Sequence, residues 1–389
     1  MKRLLFDLSP TQPIGSSKFH GGGKYGIIVF KKFYELFPNN VAVYYDDKKY
    51  IDKEISAQIN NKIYPAYLKH EISLFDAARK ESSVVYCCLY DISRQSEPPH
   101  DIHLIYTEHG LRVLELWSDE FQKYYTDQKM NMLHKMWTVV KEALYGNGWK
   151  KSILSARDLF RIPNLSIITV SQHSKSAFMA FCPQCDENKL HVFYSPSTSA
   201  EKPNIQYLPN KYNKYWLLVS GNRWVKNSAR AILAFDELFT ERPQLEGQVV
   251  ITGLKSWYEL CLEIKNPDRF ILVGYVDEIE LKSLYHNAYL LVYPSLNEGF
   301  GYPPLEAMHE GCPVIASAVS SIPEVCGDGV MYFNPFLIPE IKMRILMMED
   351  RTLRDEYRLK GIEREMYIHA KQDSDLKEMC EFLYSYIRK

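Results

Sequence analysis

Asn297-Glu298-Gly299-Phe300-Gly301-Tyr302-Pro303-Pro304-Leu305-Glu306-Ala307-Met308 is the stretch on which the reading of the whole chain turns. Before it, Tyr289-Leu290-Leu291-Val292-Tyr293-Pro294 has the unbroken apolar character of a buried strand, ended by its proline. After it, Leu305 to Glu310 reads as a helix stopped by Gly311. A Gly-rich turn therefore joins a strand end to a helix start. Backbone N–H groups at such a start attract phosphate, and the helix dipole adds to the pull. Glu298 and Glu306 place a carboxylate on each side of the turn, where each can accept hydrogen bonds from hydroxyls. Phosphate and hydroxyls together suit a sugar nucleotide.

The same strand–turn–helix grammar runs through the chain. At 389 residues it exceeds what one hydrophobic core organises, so two domains are expected. In the first half, strands are expected at Leu4–Leu8, Val41–Tyr45, Val84–Leu89, Ile102–Thr107 and Ile167–Val170. Helices are expected at Lys24–Leu36, Glu71–Arg79, Leu116–Tyr145 and His173–Ala180. A Ser/Pro/Asn-rich break from Tyr194 to Asn204 reads as a linker. A second series follows, with strands at Tyr215–Ser220, Gln248–Thr252, Phe270–Val273, Tyr289–Tyr293 and Val314–Ala316. Helices there are expected at Ser228–Phe239, Ser256–Ile264, Glu278–His286 and Pro304–Glu310, and the charged stretch from Arg351 to Lys389 reads as helical. Alternating strands and helices give parallel sheets covered on both faces. In such sheets ligands bind beyond the carboxyl ends of the strands.

Composition narrows the classes. Apolar residues at 46% and charged residues at 24% are ordinary for a soluble globular chain. A net charge of −1 supplies no field to recruit nucleic acid. No apolar run is long enough to span a bilayer, and Asp7 interrupts the short apolar start, so a cytoplasmic location is expected. The eight cysteines are scattered and read mainly as small core hydrophobes. Cys182-Pro183-Gln184-Cys185, with His191 nearby, has no second CxxC to complete a zinc site and reads as an ordinary loop.

Ser220-Gly221-Asn222-Arg223-Trp224-Val225-Lys226-Asn227 follows the first strand of the second series. Arg223 offers a planar fork to phosphate oxygens and Lys226 a mobile point charge. Cations placed where a leaving diphosphate gains charge stabilise the transition state more than the ground state.

These motifs resemble the Glu-x7-Glu signature and diphosphate-binding Arg/Lys of retaining glycosyltransferases of the GT-B fold, family 4 (glycosyl transferases group 1). Glu310-Gly311-Cys312-Pro313-Val314-Ile315-Ala316-Ser317 and Ser321-Ile322-Pro323-Glu324-Val325 fit the same family. The segments Glu298–Met308 and Ser321–Val325 look mannosyltransferase-like. The resemblance implies an α/β chain of two Rossmann-like, doubly wound domains facing a cleft. One domain would comprise residues 1–204 with a final helix of about 370–389 crossing back to it; the nucleotide-sugar domain would be 205–369. It implies that Arg223 and Lys226 bind the diphosphate and that Glu306 accepts the ribose hydroxyls. Glu298 would meet the sugar's C3 and C4 hydroxyls, and Phe300 and Gly301 would offer backbone N–H groups. A loop near Val276 would hold the base, and His109, in Tyr106-Thr107-Glu108-His109-Gly110, would contact the sugar. Gly22 and Gly23 would lie in a Gly-rich loop near the diphosphate and acceptor. Catalysis would need neither metal nor cofactor. The implied partners are a nucleotide sugar, with GDP-mannose first and UDP-sugars next, and a glycan or lipid-linked acceptor in surface polysaccharide assembly.

Other readings compete. Two carboxylates invite a hydrolase, but their place around a phosphate-suited turn fits nucleotide binding better. Gly21, Gly23 and Gly26 satisfy the GxGxxG of nicotinamide oxidoreductases, with Asp46 downstream. Thr11 to Ser17 intervene between the strand and the first glycine, where that fingerprint requires direct succession. A non-catalytic sugar-nucleotide binder is the remaining alternative. Basic residues interleaved with Tyr124, Tyr125, Trp137 and Trp149 between Lys123 and Arg161 suit either a solvated helix with a core stripe, the favoured reading, or a peripheral contact with the inner face of a membrane.

Overall fold

The computed structural model describes residues 2–13, 21–89, 98–125, 161–197 and 207–388. The chain divides into two compact units. The first comprises Met1–Leu111, Lys150–Ala200 and His369–Lys389, and the second Arg112–Trp149 and Glu201–Ile368.

The first unit holds a parallel sheet of β1 (Leu4–Asp7), β2 (Val41–Tyr45), β3 (Ala66–Leu68), β4 (Val84–Cys87), β5 (His103–Glu108), β6 (Leu165–Thr169) and β7 (Leu190–Val192). Their order across the sheet is β3-β2-β1-β4-β5-β6-β7. β1 and β4 are buried along their whole length, as strands covered on both faces must be. The helix Gly21–Leu36 lays Val29, Phe30 and Phe33 on this sheet, where Phe6 meets Phe30 edge-on at 5.3 Å. The last part of the helix Arg351–Arg388 packs here too: Tyr384 stacks on Phe37 at 4.1 Å, and Asp375 accepts the Tyr194 N–H at 2.8 Å.

The second unit is built around β8 (Tyr215–Leu218), β9 (Gln248–Thr252), β10 (Phe270–Gly274), β11 (Leu290–Tyr293), β12 (Val314–Ser317) and β13 (Met331–Phe333), all parallel, in the order β10-β9-β8-β11-β12-β13. This is the doubly wound order in which the chain reverses direction between its first and fourth strands. The crevice at that switch point lies between β8 and β11. Trp216 of β8 anchors the core against Phe235 and Phe239 of the helix Ser228–Glu241, with ring centroids 5.2 Å and 6.0 Å apart.

Three expectations need correction. Ser256–Ile264 is not a helix. Ser256 caps a single turn, Trp257–Glu259, and Leu260 is already extended. The Cys261 N–H then bonds to the Tyr124 carbonyl at 2.9 Å, which draws the backbone away from helical pairing. Leu116–Tyr145 is not one continuous helix where it is described. Arg112–Glu115 is a short helix and Glu120–Tyr125 a 3-10 turn started by Asp119, which accepts the Phe121 N–H; residues beyond 125 fall outside the described ones. Of the expected first-domain residues, the described ones from 112 to 125 group with the second unit rather than the first. Asp119 pairs with Arg230, and the Tyr125 hydroxyl accepts the Ala229 N–H, so this segment is tied to the helix Ser228–Glu241. Most of the basic and aromatic stretch Lys123–Arg161 lies outside the described residues. Among those described, no helix is long and apolar enough to cross a membrane.

Candidate active site

Two loops meet at the switch point of the second unit, one after β8 and one after β11. The Leu296 N–H bonds to the Val225 carbonyl at 2.8 Å. Asn227, fully buried and left-handed with φ +57°, donates from Nδ2 to the carbonyls of Pro294 and Pro335 at 3.0 and 2.8 Å. Asparagine tolerates that conformation better than most residues, and here its amide also joins the loops. Its Oδ1 accepts from Arg230, whose guanidinium is gripped by Asp119 and lies 3.8 Å from the Phe121 ring centroid.

This framework fixes Lys226 and Glu298, both largely buried. Lys226 Nζ donates to Glu298 Oε1 at 2.6 Å and to the Tyr293 hydroxyl at 2.9 Å. The same Oε1 accepts from Tyr293 at 2.7 Å and from Ser295 Oγ. Burial by itself would raise the Glu298 carboxyl. Lys226, Ser295 and Tyr293 outweigh it and hold the group down at about 2. Burial lowers Lys226, Glu298 works against that, and Arg223 and Arg112 push the same way as burial. The two form an ion pair, with Arg223 and Arg112 close enough to act on Lys226.

The backbone of the turn is held as firmly. The Glu298 N–H bonds to Ser320 Oγ, and Ser321 Oγ donates to the carbonyls of Glu298 and Phe300, each at 2.9 Å. Phe300 is buried and packs edge-on against Tyr302. Gly301, at φ +106°, caps the helix Tyr302–His309 in a conformation that a side chain would strain. Pro303 and Pro304 carry no N–H, so this helix start offers fewer donors than its position suggests.

Beside the turn lies a cavity of about 550 Å³, lined by Ser220, Asn222, Gly253, Lys255, Val276 and Glu306 among others. Glu306 accepts from the Tyr285 hydroxyl at 3.2 Å. Arg223 is exposed at the loop after β8. The structure thus brings Arg223, Lys226, Glu298, Phe300, Gly301, Val276 and Glu306 to the carboxyl ends of β8, β10 and β11.

The remaining expected residues lie in the first unit. Gly22 and Gly23 are in the first turn of the helix Gly21–Leu36, not in a loop. A Cβ on Gly22 would come 2.7 Å from Leu89, and one on Gly26 would come 2.5 Å from Cys88 Sγ, so these glycines let the helix approach the end of β4. This close packing, inside a helix and well after β1, removes the structural context of a nicotinamide fingerprint. His109 follows β5; its Nε2 is 2.9 Å from the Cys88 carbonyl and its ring meets Tyr25 edge-on at 4.7 Å. Beside it, burial pushes the Glu108 carboxyl up to about 7. Of the CxxC pair, Cys182 is buried and the Cys185 thiol is pushed up to about 12 by burial, far from a ready thiolate. His191 packs on Phe382. Among the described residues no group of three or more His, Cys, Asp or Glu could hold a metal ion.

Sequence reasoning missed four contributors. Tyr293 and Ser295 flank a proline and read as strand-end residues, yet both serve Glu298. Arg112 and Glu115 belong to the short helix Arg112–Glu115. Glu115 accepts from the Asn297 amide, and Arg112 acts electrostatically on Lys226 while its own Nε is buried with no partner among the described residues. The only sequence signal for Arg112 was its place three residues after His109.

Residues 201–357 match the family described as glycosyl transferases group 1. The O-antigen chain mannosyltransferase RfbU of Salmonella typhimurium is 28% identical over 173 residues, 43% of this chain and 46% of that one. The O-antigen chain mannosyltransferase B of Escherichia coli is 31% identical over 208 residues, 50% of this chain and 55% of that one. The chain thus spans about half the length of these curated relatives. In structure, HepE of Anabaena, solved with UDP and glucose, superposes with a TM-score of 0.62 at 13% identity, covering 99% of this chain and 100% of that one. WaaG, a glycosyltransferase involved in lipopolysaccharide biosynthesis, superposes at 0.60 and 13% identity, covering 98% and 99%. Residues 201–357 thus carry a domain like that of the group 1 glycosyltransferases, similar in sequence to mannosyltransferases, and the chain has the GT-B fold.

Proposed function

We propose that the protein transfers mannose from GDP-mannose to a hydroxyl of a glycan or lipid-linked glycan during surface polysaccharide assembly, with retention of anomeric configuration and without a metal. The observation that carries this reading is the Lys226–Glu298 pair at the β8/β11 switch point, beside a nucleotide-sized cavity. The mannosyltransferase relatives favour the sugar.

In this account the donor diphosphate lies over the turn after β11. Arg223, Lys226 and Arg112 meet the charge that develops as the glycosidic bond breaks. These cations are in place before substrate arrives, which suits a diphosphate that gains negative charge as it leaves. Glu306 accepts the ribose hydroxyls, and Glu298, with Oε1 committed to Lys226, turns Oε2 to the sugar hydroxyls. The acceptor hydroxyl attacks from the face that the diphosphate leaves, and a diphosphate oxygen takes its proton.

The test is incubation of the purified protein with GDP-mannose, UDP-glucose or UDP-N-acetylglucosamine and a lipid-linked glycan extract. Mannose incorporation from GDP-mannose supports the reading. Incorporation from a UDP-sugar alone would overturn the donor, and nucleotide binding without transfer to any acceptor would favour a non-catalytic binder.

A further inference from the structure

Resting on that reading of the second unit as a donor site, we infer that Glu259 and Lys255 select guanine as the donor base. Strand order fixes which end of the cavity takes the base. The diphosphate-suited turn follows β11, and Arg223 and Lys226 follow β8 beside it. Lys255 and Glu259 follow β9, and Tyr275 and Val276 follow β10, the outermost strand on that side. From β11 to β10 is three strand spacings, roughly 14 Å. A nucleotide with its phosphates over β11 therefore runs outward past Glu306 and places its base between the β9 and β10 loops.

Two charged side chains line that end of the cavity. Glu259 is exposed, and its Oε1 accepts the Lys255 N–H at 2.9 Å, which ties the carboxylate to the start of the loop. The Lys255 stem runs over Gly274, where a Cβ would come 2.9 Å from its Cγ and 3.4 Å from its Cε. Gly274 is at φ +68°, so its missing side chain lets the backbone turn and lets the lysine cross the loop that precedes Val276.

A carboxylate and an ammonium lining the same end of the cavity complement few bases. Guanine presents two adjacent donors, N1–H and N2–H, next to the O6 acceptor, so a carboxylate can take both donors while an ammonium meets O6. Uracil presents one N–H between two carbonyls, and each carbonyl would face the carboxylate. Adenine presents a donor beside the N1 acceptor, which a carboxylate also repels. Glu259 and Lys255 therefore match guanine and oppose the other two.

Calorimetric titration with GDP, IDP, UDP and ADP tests this, because IDP is GDP without the 2-amino donor. The wild-type protein should bind GDP roughly tenfold or more tighter than IDP and UDP, the scale of one bidentate base contact. Glu259→Gln keeps an oxygen to cap the Lys255 N–H but turns an acceptor into a donor. It should erase the preference for GDP over IDP and strengthen UDP binding, because the charge that faces the uracil carbonyls is gone. Lys255→Ala, checked for an unchanged melting temperature, should weaken GDP and IDP alike. Tighter binding of UDP than GDP, or an unaltered GDP/IDP ratio in Glu259→Gln, would overturn the guanine assignment and leave the donor-site reading standing. Failure of all four diphosphates to bind would overturn both.

Discussion

Lys226 Nζ sits 2.6 Å from Glu298 Oε1, although the two residues come from different loops and both are buried. The contact joins two assignments that the sequence suggests separately, a phosphate cation and a sugar-facing carboxylate. Each is the other's principal counter-charge. A substitution at one therefore acts on both, and the pair is a structural element as well as a chemical one.

Glu298→Gln should destabilise the second unit by about 3–5 kcal/mol, because it leaves the Lys226 ammonium buried without its counter-charge. Lys226→Met combined with Glu298→Gln should recover part of that loss. Urea denaturation of the two single variants and the double variant measures the coupling. A loss below about 1 kcal/mol, the level of an exposed pair, would mean that the ion pair does not persist in solution.

The same pair predicts a pH dependence. The Glu298 carboxyl is held near 2 in the folded chain, below its ordinary 4.5. A depressed carboxyl contributes its full stability above the unfolded value and loses it as pH falls through the folded one. The wild-type urea midpoint should therefore fall between pH 4.5 and 2 more steeply than that of Glu298→Gln. Parallel curves would contradict the depressed value.

Arg223 is exposed and should behave differently from Lys226. Arg223→Ala should leave the melting temperature unchanged and cost about 2–4 kcal/mol in transfer, the scale of one lost donor to a developing anion. Arg112→Met should lower kcat in the same direction. Unaltered kcat/KM in Arg223→Ala would remove it from the diphosphate site.

Glu306→Ala should weaken binding of the bare nucleoside diphosphate, since its proposed partners are the ribose hydroxyls. Glu298→Gln should weaken the intact sugar nucleotide more than the bare diphosphate. Calorimetry with both ligands separates the roles, and a larger loss of bare diphosphate in Glu298→Gln would exchange them.

Transfer should survive EDTA, because Arg112, Arg223 and Lys226 bring the positive charge that a metal would supply. Loss of transfer on chelation, restored by magnesium or manganese, would contradict this.

Local patterns made most of the second unit legible. The apolar runs around Leu217, Val250 and Leu291 are fully buried parallel strands, and such strands need no alternation to be recognised. Glycines told less about what surrounds them: Gly22 and Gly23 read as a ligand loop but lie in the first turn of a helix, where Gly22 packs against Leu89. The short strands Ala66–Leu68, Leu190–Val192 and Met331–Phe333 carry three residues each, too few for a periodic signal. Arg112, Glu115 and Tyr125 could not be placed from sequence, because their partners Lys226, Asn297 and Ala229 lie far along the chain and only tertiary packing selects them. The turn after Ser256 failed for the same reason, its helix being lost to the long-range bond from Cys261 to Tyr124.

The most direct test of the central claim is NMR of the product formed from GDP-α-mannose and a lipid-linked glycan acceptor. Retaining transfer gives a new mannosyl linkage in the α configuration, with release of GDP and without added metal. A β-linked product, or no turnover of any nucleotide sugar by a protein that binds GDP, would contradict it.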